Sequence, residues 1–201
     1  MVRARDDRRS STRPSWADRR ERPTRMVVHI VPMRRRHLRS VMRIEAETHP
    51  RPWSLSLFIS EMALRSSRAY YVARTDGVVV GYVGLMMSAD EGHITTLAVD
   101  PNWHRRKVGT RLLLVAAREA VRRGATGLTL EVRMSNAPAQ ELYRQFGFRA
   151  AGVRKNYYVE TNEDALIMWA EHIETAEYRH RLDGIEETVP GETVVDDGRP
   201  R

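Results

Sequence analysis

Apolar positions along the chain keep period two in some stretches and recur at intervals of three and four in others, and the changes of rhythm mark its elements. Val27-Val-His-Ile-Val31 reads as a strand. Over residues 34–47, Leu38, Val41, Met42 and Ala46 recur at helical spacing. Residues 55–64 repeat that spacing behind Pro52-Trp53-Ser54, whose serine suits a helix start. Tyr70 to Arg74 and Val78 to Met87, joined by Asp76-Gly77, form a hairpin, and His93 to Val99 is another strand. Val108 to Arg123 is an amphipathic helix closed by Gly124. Leu128 to Val132 is a strand, Ala137 to Phe146 a helix closed by Gly147, and residues 148–158 and 165–169 are two last strands. The order β-α-α-β-β-β-α-β-α-β-β has no internal repeat and predicts a mixed sheet with helices on its faces.

Composition adds the ends. The chain has 201 residues, 41% hydrophobic and 30% charged, enough for one globular domain with a real core plus tails. Residues 1–25 carry nine Arg against four acids, and residues 174–201 eight acids against four Arg. Both ends are polar and poor in periodic apolar positions, so 1–25 is expected to be a disordered Arg-rich leader and 173–201 a disordered acidic tail around a domain at 26–172. Asp6, Asp7, Asp18 and Glu21 argue against a transit peptide. With no cysteine there is no disulfide framework, thiolate nucleophile or Cys-based zinc site. No apolar run reaches the length of a membrane span and no signal-peptide core is present, so a soluble cytoplasmic protein without a membrane partner is expected.

The net charge of +8 and pI near 10.4 invite a nucleic-acid reading. Nine of the Arg sit in the leader, and no helix-turn-helix, stacking sheet or zinc-finger pattern appears, so no specific nucleic-acid partner is expected. The seven histidines show no ligand spacing; no metal is expected, and His93 is read as packing within its strand.

Chemistry concentrates at residues 94–115. A strand ending in Leu97-Ala-Val99 runs into His104-Arg-Arg-Lys107, then Gly109 and the long helix. A helix start carries partial positive charge, which disfavours cations there unless an anion is near. Backbone N–H groups at such a start cradle phosphates, and Arg105, Arg106 and Lys107 would neutralise a polyphosphate. On spacing alone, a solvated basic turn is an equal reading.

The element order and the segments Leu97-Ala-Val-Asp-Pro101, Leu130-Glu-Val-Arg-Met-Ser-Asn136, Leu142-Tyr-Arg-Gln-Phe-Gly-Phe148, Asn156-Tyr-Tyr158 and Glu163-Asp-Ala-Leu-Ile-Met168, with Pro52-Trp53-Ser54, resemble the GNAT superfamily of acetyltransferases. Within it they are similar to the ribosomal-protein-alanine N-acetyltransferases, over roughly residues 26–172. The resemblance implies an α+β (mixed α/β) GNAT fold, a central, mostly antiparallel twisted sheet of about six or seven strands with helices on both faces. It implies acetyl-CoA as co-substrate, bound by Leu97, Ala98 and Val99, by Arg105, Arg106, Lys107, Val108, Gly109 and Thr110, and by Asn136. It implies a groove lined by Trp53, Asn156, Tyr157, Tyr158 and Glu160 for the acceptor, a protein N-terminus of ribosomal type, and an enzyme that is a monomer or weak dimer.

The family loop usually reads Gln/Arg-x-x-Gly-x-Gly/Ala; here His104 takes the lead and Lys107 the first glycine. A glycine-only angle would strain Lys107. The expectation adopted is ordinary helix-start geometry, where the lysine costs little and adds charge.

Acetyl transfer to an amine needs a proton acceptor, an oxyanion donor and an acid for the leaving thiolate. Alternation sends Leu128, Leu130 and Val132 to one face and Thr129, Glu131 and Arg133 to the other. An acid in mid-strand must find a partner or do chemistry. Glu131 is either paired with Arg133 on a wet face or, as the resemblance implies, the base. Tyr143 sits in an apolar stripe with Ala139, Leu142 and Phe146, so it is core or, by resemblance, the acid. The N–H of Val99 or a neighbour would polarise the carbonyl, and transfer would be direct, without an acyl-enzyme. Two other readings remain: a GNAT enzyme acting on a lysine or small amine, and a non-catalytic acyl-CoA or nucleic-acid binding module.

Overall fold

The computed structural model describes residues 26–196; the Arg-rich leader and residues 197–201 lie outside the described residues. Its elements are β1 (Val27–Pro32), α1 (Leu38–Thr48), α2 (Leu55–Ala63), β2 (Arg68–Thr75), β3 (Val78–Ser88), β4 (Glu91–Val99), α3 (Val108–Arg122), β5 (Gly127–Arg133), α4 (Ala137–Gln145), β6 (Arg149–Tyr158), β7 (Glu163–Glu171), α5 (Ala176–Glu187) and β8 (Glu192–Val195). One sheet runs β6-β7-β5-β4-β3-β2-β1-β8, antiparallel except for the parallel pairs β4–β5 and β1–β8. The fold is the mixed α/β sheet expected from the pattern, with eight strands among the described residues rather than six or seven.

The sheet's two faces make two cores. On one, Val80, Val83, Leu85, Ile94, Leu128 and Leu130 pack with the apolar stripe of α3, with Tyr143 of α4 and with Tyr178 and Leu182 of α5. On the other, Tyr70, Val72, Tyr82 and Ala98 pack with Val41 and Ile44 of α1 and Phe58 of α2. Leu112, Leu113, Ala116, Ala117 and Ala120 are fully buried, which is why α3 is the fold's central helix.

The extra strand corrects the expectation of a disordered tail beyond residue 172. Ile173, Tyr178 and Leu182 are buried, and Ile185 and Val189 pack beside them. The acids that lend the segment its disordered-looking composition pair outward: Asp183 and Glu186 both take Arg118 of α3, at 2.9 and 2.7 Å. The chain then turns at Gly191, where a Cβ would stand 2.4 Å from the Met26 carbonyl, and β8 lies along β1 from Val27↔Glu192 to Ile30↔Val195. Arg111, fully buried in the first turns of α3, donates from both terminal nitrogens to this segment, to the Pro190 carbonyl and the Thr193 hydroxyl.

One feature of the sheet positions the site. β4 and β5 pair at Glu91↔Gly127, Gly92↔Leu128 and His93↔Thr129 and have no register beyond that. A bulge at Thr95 interrupts the β3–β4 register just past this point, Gly84 facing Thr96 and Leu85 facing Ile94. A Cβ on Gly84 would fall 2.4 Å from the Tyr70 ring and 2.6 Å from the Thr95 hydroxyl, so the close approach there requires glycine. The strands part, and a cleft opens between residues 95–99 of β4 and 130–133 of β5.

Candidate active site

The β4 wall of the cleft is backbone. Asp100 N–H donates to Val80 of β3, and the Ala98 carbonyl also faces β3, so strand alternation turns the N–H and C=O of Leu97 and Val99 toward the cleft. The Val99 carbonyl accepts from His104 Nε2 at 2.9 Å. Asp100 closes the strand: it is buried, caps the 3-10 turn Pro101–Trp103 through the Asn102 N–H, and takes Arg43 of α1 at 2.6 Å. Burial would raise its carboxyl, but the bonds from Arg43 and Asn102 outweigh that and hold it below the usual range.

The loop after it answers the question posed by its cations. Arg106 lies over the Trp103 ring at 4.7 Å and His104 is turned back to Val99; no carboxylate forms an ion pair with Arg105, Arg106 or Lys107 among the described residues. The first intrahelical bond of α3 runs from Arg111 N–H to the Lys107 carbonyl, so the N–H groups of Val108, Gly109 and Thr110 precede the helical ladder. A Cβ on Gly109 would meet only ordinary contacts, 3.5 Å to Leu142 and 3.7 Å to Val99. Nothing in the protein's own packing demands glycine there; the missing side chain leaves the helix start open to a ligand. These groups fit a diphosphate.

The expectation for Lys107 is overturned. It sits at φ 60, ψ 19 as the residue before α3, and Arg105 also has a left-handed φ of 61. Each carries the steric cost of about 1–2 kcal/mol that an L-residue meets in this region. A lysine in place of the glycine thus keeps the loop's shape under strain and adds a cation.

The β5 wall is made of side chains. Glu131 faces the α1–α2 side of the sheet with 11% of its side chain exposed. It is not paired with Arg133. Its Oε2 takes His93 Nε2 at 3.2 Å across the β4–β5 junction, and its Oε1 takes Arg154 of β6 at 3.1 Å. The hydrogen bond from His93 lowers its pKa most, against the opposing effect of burial, so Glu131 is ionised at neutral pH. His93 therefore does more than pack within its strand. Arg133 instead grips the β6–β7 turn, with Glu160 at 2.8 Å, Glu163 at 3.4 Å and the Tyr158 ring 3.8 Å beneath its guanidinium.

Tyr143 approaches from the other side. Its ring is buried against Phe148, centroids 5.8 Å apart, and its hydroxyl makes no hydrogen bond among the described residues. Burial, with the nearby Tyr158 hydroxyl, pushes its phenol well above the ordinary value. Tyr158 stands between the two candidates: its hydroxyl is 3.5 Å from the Glu131 carbonyl oxygen, and its own phenol is raised by burial to about 12.

Of the other expected residues, Asn136 caps α4, its side-chain oxygen accepting the Ala139 N–H at 3.1 Å. Trp53 packs on Phe58 and its backbone N–H donates to Glu45 Oε1 at 2.9 Å. Glu45, buried and not singled out by the sequence, also holds the Tyr82 hydroxyl and His49, fixing the α1–α2 loop. Tyr157 is exposed, edge-on to Tyr158, and Asn156 is left-handed at φ 50 with its N–H on Asp164.

Comparison with known proteins gives this arrangement its class. The sequence profile of the acetyltransferase (GNAT) family matches residues 38–148. The ribosomal protein bS18-alanine N-acetyltransferase of Escherichia coli (strain K12) is 36% identical over 133 residues, 65% of this chain and 88% of that protein. A Bacillus subtilis (strain 168) protein under a provisional form of the same name is 39% identical over 137 residues, 68% of this chain and 91% of its own. The crystal structure of the ribosomal-protein-S18-alanine N-acetyltransferase from Escherichia coli matches with a TM-score of 0.66 at 33% identity, over 72% of this chain and 94% of that one. The chain belongs to the GNAT family and is an acetyltransferase. Acetyl-CoA is the acetyl donor of that family.

Proposed function

We propose that the enzyme moves an acetyl group from acetyl-CoA directly to the N-terminal α-amine of a protein, with a ribosomal protein as acceptor, in the cytoplasm. The observation that carries the reading is the cleft itself, where the exposed backbone of Leu97 and Val99 faces an ionised Glu131 held by His93. The relatives' acceptor supports a protein N-terminus, and Arg51 of the Trp53 loop comes within electrostatic reach of Glu160 on the turn after Tyr158.

In this mechanism the N–H groups of Val108, Gly109 and Thr110, with Arg105 and Lys107, hold the donor's diphosphate. The N–H of Val99 or Leu97 polarises the thioester carbonyl, Asn136 supplies a further donor contact, and Trp53, Asn156, Tyr157 and Tyr158 hold the acceptor. Glu131 takes the amine's proton as the new C–N bond forms. An α-amine has a pKa near 7.7–8.0, and Glu131 lies below the ordinary carboxylate value of about 4.5, so full transfer before attack is uphill by at least ~4 kcal/mol. Glu131 therefore acts in concert with attack, its charge favouring the cation that develops on nitrogen.

Tyr143 serves the departing sulfur. A phenol raised above about 10 stays protonated at neutral pH and donates a hydrogen bond to a thiolate whose own pKa is near 8.5. The C–S bond breaks as the tetrahedral centre collapses; the sulfur takes a proton through Tyr143, replacing the one that Glu131 removed from the amine, so the products are the N-acetyl peptide and the CoA thiol.

The test is intact mass of peptides after incubation with acetyl-CoA: one set with a free N-terminal Ala, Ser, Gly or Met, another blocked at the N-terminus and bearing lysine. The reading expects one acetyl group on the free N-termini and none on the blocked peptides. Acetylated lysine, or turnover confined to small amines, would overturn it.

A further inference from the structure

A second surface, beside the half of α3 that leads away from the cleft, is lined by arginines. At the end of the sheet opposite Val99, where β2 begins at Arg68, a groove of about 1080 Å³ runs between the approach to α1, the end of α2 and the second half of α3. It lies about 10–20 Å along α3 from the helix start that faces the cleft. Its floor is Tyr71, Val115 and Val195, and seven arginines line it.

Four of the seven are paired: Arg118 with Asp183 and Glu186, Arg68 with Glu61 at 2.7 Å, and Arg122 and Arg123 with Glu119. Arg34, Arg35 and Arg65 are exposed on the groove's rim with no carboxylate in ion-pair range among the described residues. The three uncompensated ones come from two segments about 30 residues apart, so the fold, and not a local charge run, gathers them. Uncompensated like charges brought together cost free energy unless a polyanion offsets them. Guanidiniums suit phosphate oxygens in particular, since the planar fork can donate two parallel bonds.

We propose that this groove docks the sugar-phosphate backbone of RNA without reading its sequence, while the cleft remains free to act on an acceptor. The choice of RNA among polyanions rests on the ribosomal acceptor proposed above; the groove's charge does not. The separation of the two surfaces means that an RNA-associated acceptor could be held at one and acetylated at the other.

The test is fluorescence anisotropy of a labelled single-stranded RNA of about 20 nucleotides, titrated with the full-length protein at several salt concentrations. Neutralising the rim in the triple variant Arg34→Gln/Arg35→Gln/Arg65→Gln removes three phosphate partners. The plot of log affinity against log salt should then become shallower by about 2, and affinity near 0.15 M salt should fall at least ~10-fold. Arg149→Gln/Arg179→Gln/Arg181→Gln, with the same charge change on exposed residues elsewhere, should leave the slope unchanged. Both proteins keep the Arg-rich leader, so its contribution cancels, and thermal melting verifies that each is folded. Equal losses in the two variants, or none in the rim variant, would overturn the proposal. So would a rim variant that loses binding to poly-glutamate but not to RNA, which would assign the groove to an acidic protein segment. Because RNA binding is read without acetyl-CoA, its failure leaves the acetyl-transfer reading standing, and the reverse holds too.

Discussion

The two walls of the cleft are built from different materials. On β4 and the start of α3 the polar groups that face the cleft are backbone: the strand edge at Leu97 and Val99 and the N–H groups of residues 108–110. On β5 they are side chains, Glu131 with His93 and Arg154, and Arg133 locking the turn above Tyr158. A backbone wall depends on shape, which a parted pair of strands and a helix start supply together. A side-chain wall depends on particular partners brought from distant parts of the chain. Binding of the donor should therefore tolerate side-chain changes that abolish transfer.

The largest effect should come from the side-chain wall. Glu131→Gln keeps the shape and removes the proposed base, so kcat for a free N-terminal peptide should fall about 10²–10⁴-fold while acetyl-CoA affinity stays within about twofold. Equal losses in both would merge the two walls into one functional unit. Next comes the support beneath the backbone wall. Ending the chain after Glu187 removes Pro190 and Thr193, the two acceptors of the Arg111 guanidinium, together with the pairing of β8 on β1. Losing two hydrogen bonds to a charged donor and the strand that covers it costs about 3 kcal/mol, which lowers Tm by roughly 6–12 °C in a domain of this size. Arg111→Met in the intact chain should be nearly neutral, because it removes charge and need together.

Tyr143→Phe should lower kcat about 10²-fold with an unchanged melting curve, since its hydroxyl bonds no other residue among the described ones. Lys107→Gly should relieve the left-handed strain and stabilise the protein by about 1 kcal/mol, read as a rise of ~2–4 °C in Tm. The same change should raise the KM for acetyl-CoA a few-fold by removing a cation. A fall in Tm would show that the lysine makes a stabilising contact outweighing its backbone strain.

Titration gives the smallest and most diffuse effect. Asp100, Glu119 and Glu131 all have native pKa values below their unfolded ones, so each contributes stability that is complete above the unfolded value of about 4 to 4.5. That contribution is lost as pH falls through the lower native values. Tm should decline gently from pH 7 to about 5, because burial holds the His37 pKa below its ordinary 6.5 and disfavours its protonation, and should drop more steeply below 4.5; Asp100→Asn should reduce that second drop.

The same contrast explains what the sequence made legible. The strand, cationic loop, Gly109 and long helix are consecutive, so this wall stood out from local pattern, which left a phosphate site and a solvated basic turn as equal readings until the family resemblance chose between them. Glu131 stood out as a mid-strand acid, but its partner did not. His93 reaches it through a parallel pairing between strands 38 residues apart, whose register no local periodicity carries. Glu45 and Tyr82 meet across 37 residues in the same way. The left-handed angle at Lys107 was signalled by the glycine that the family loop places there and was set aside, because nothing in a lysine itself announces φ above zero. Segment 173–196 was missed for an opposite reason. Tyr178, Leu182 and Ile185 do recur at helical spacing, but the acids around them dominate the composition, and only Arg118 on another element shows where those acids belong.

Whether the donor binds the backbone wall can be read from backbone amide NMR during a titration with CoA. The largest shifts should fall on Val108, Gly109 and Thr110, followed by Leu97 and Val99, with Glu131→Gln giving the same pattern. Shifts centred instead on residues 118–123 of α3, with residues 108–110 unmoved, would contradict this and assign the diphosphate to the arginine groove.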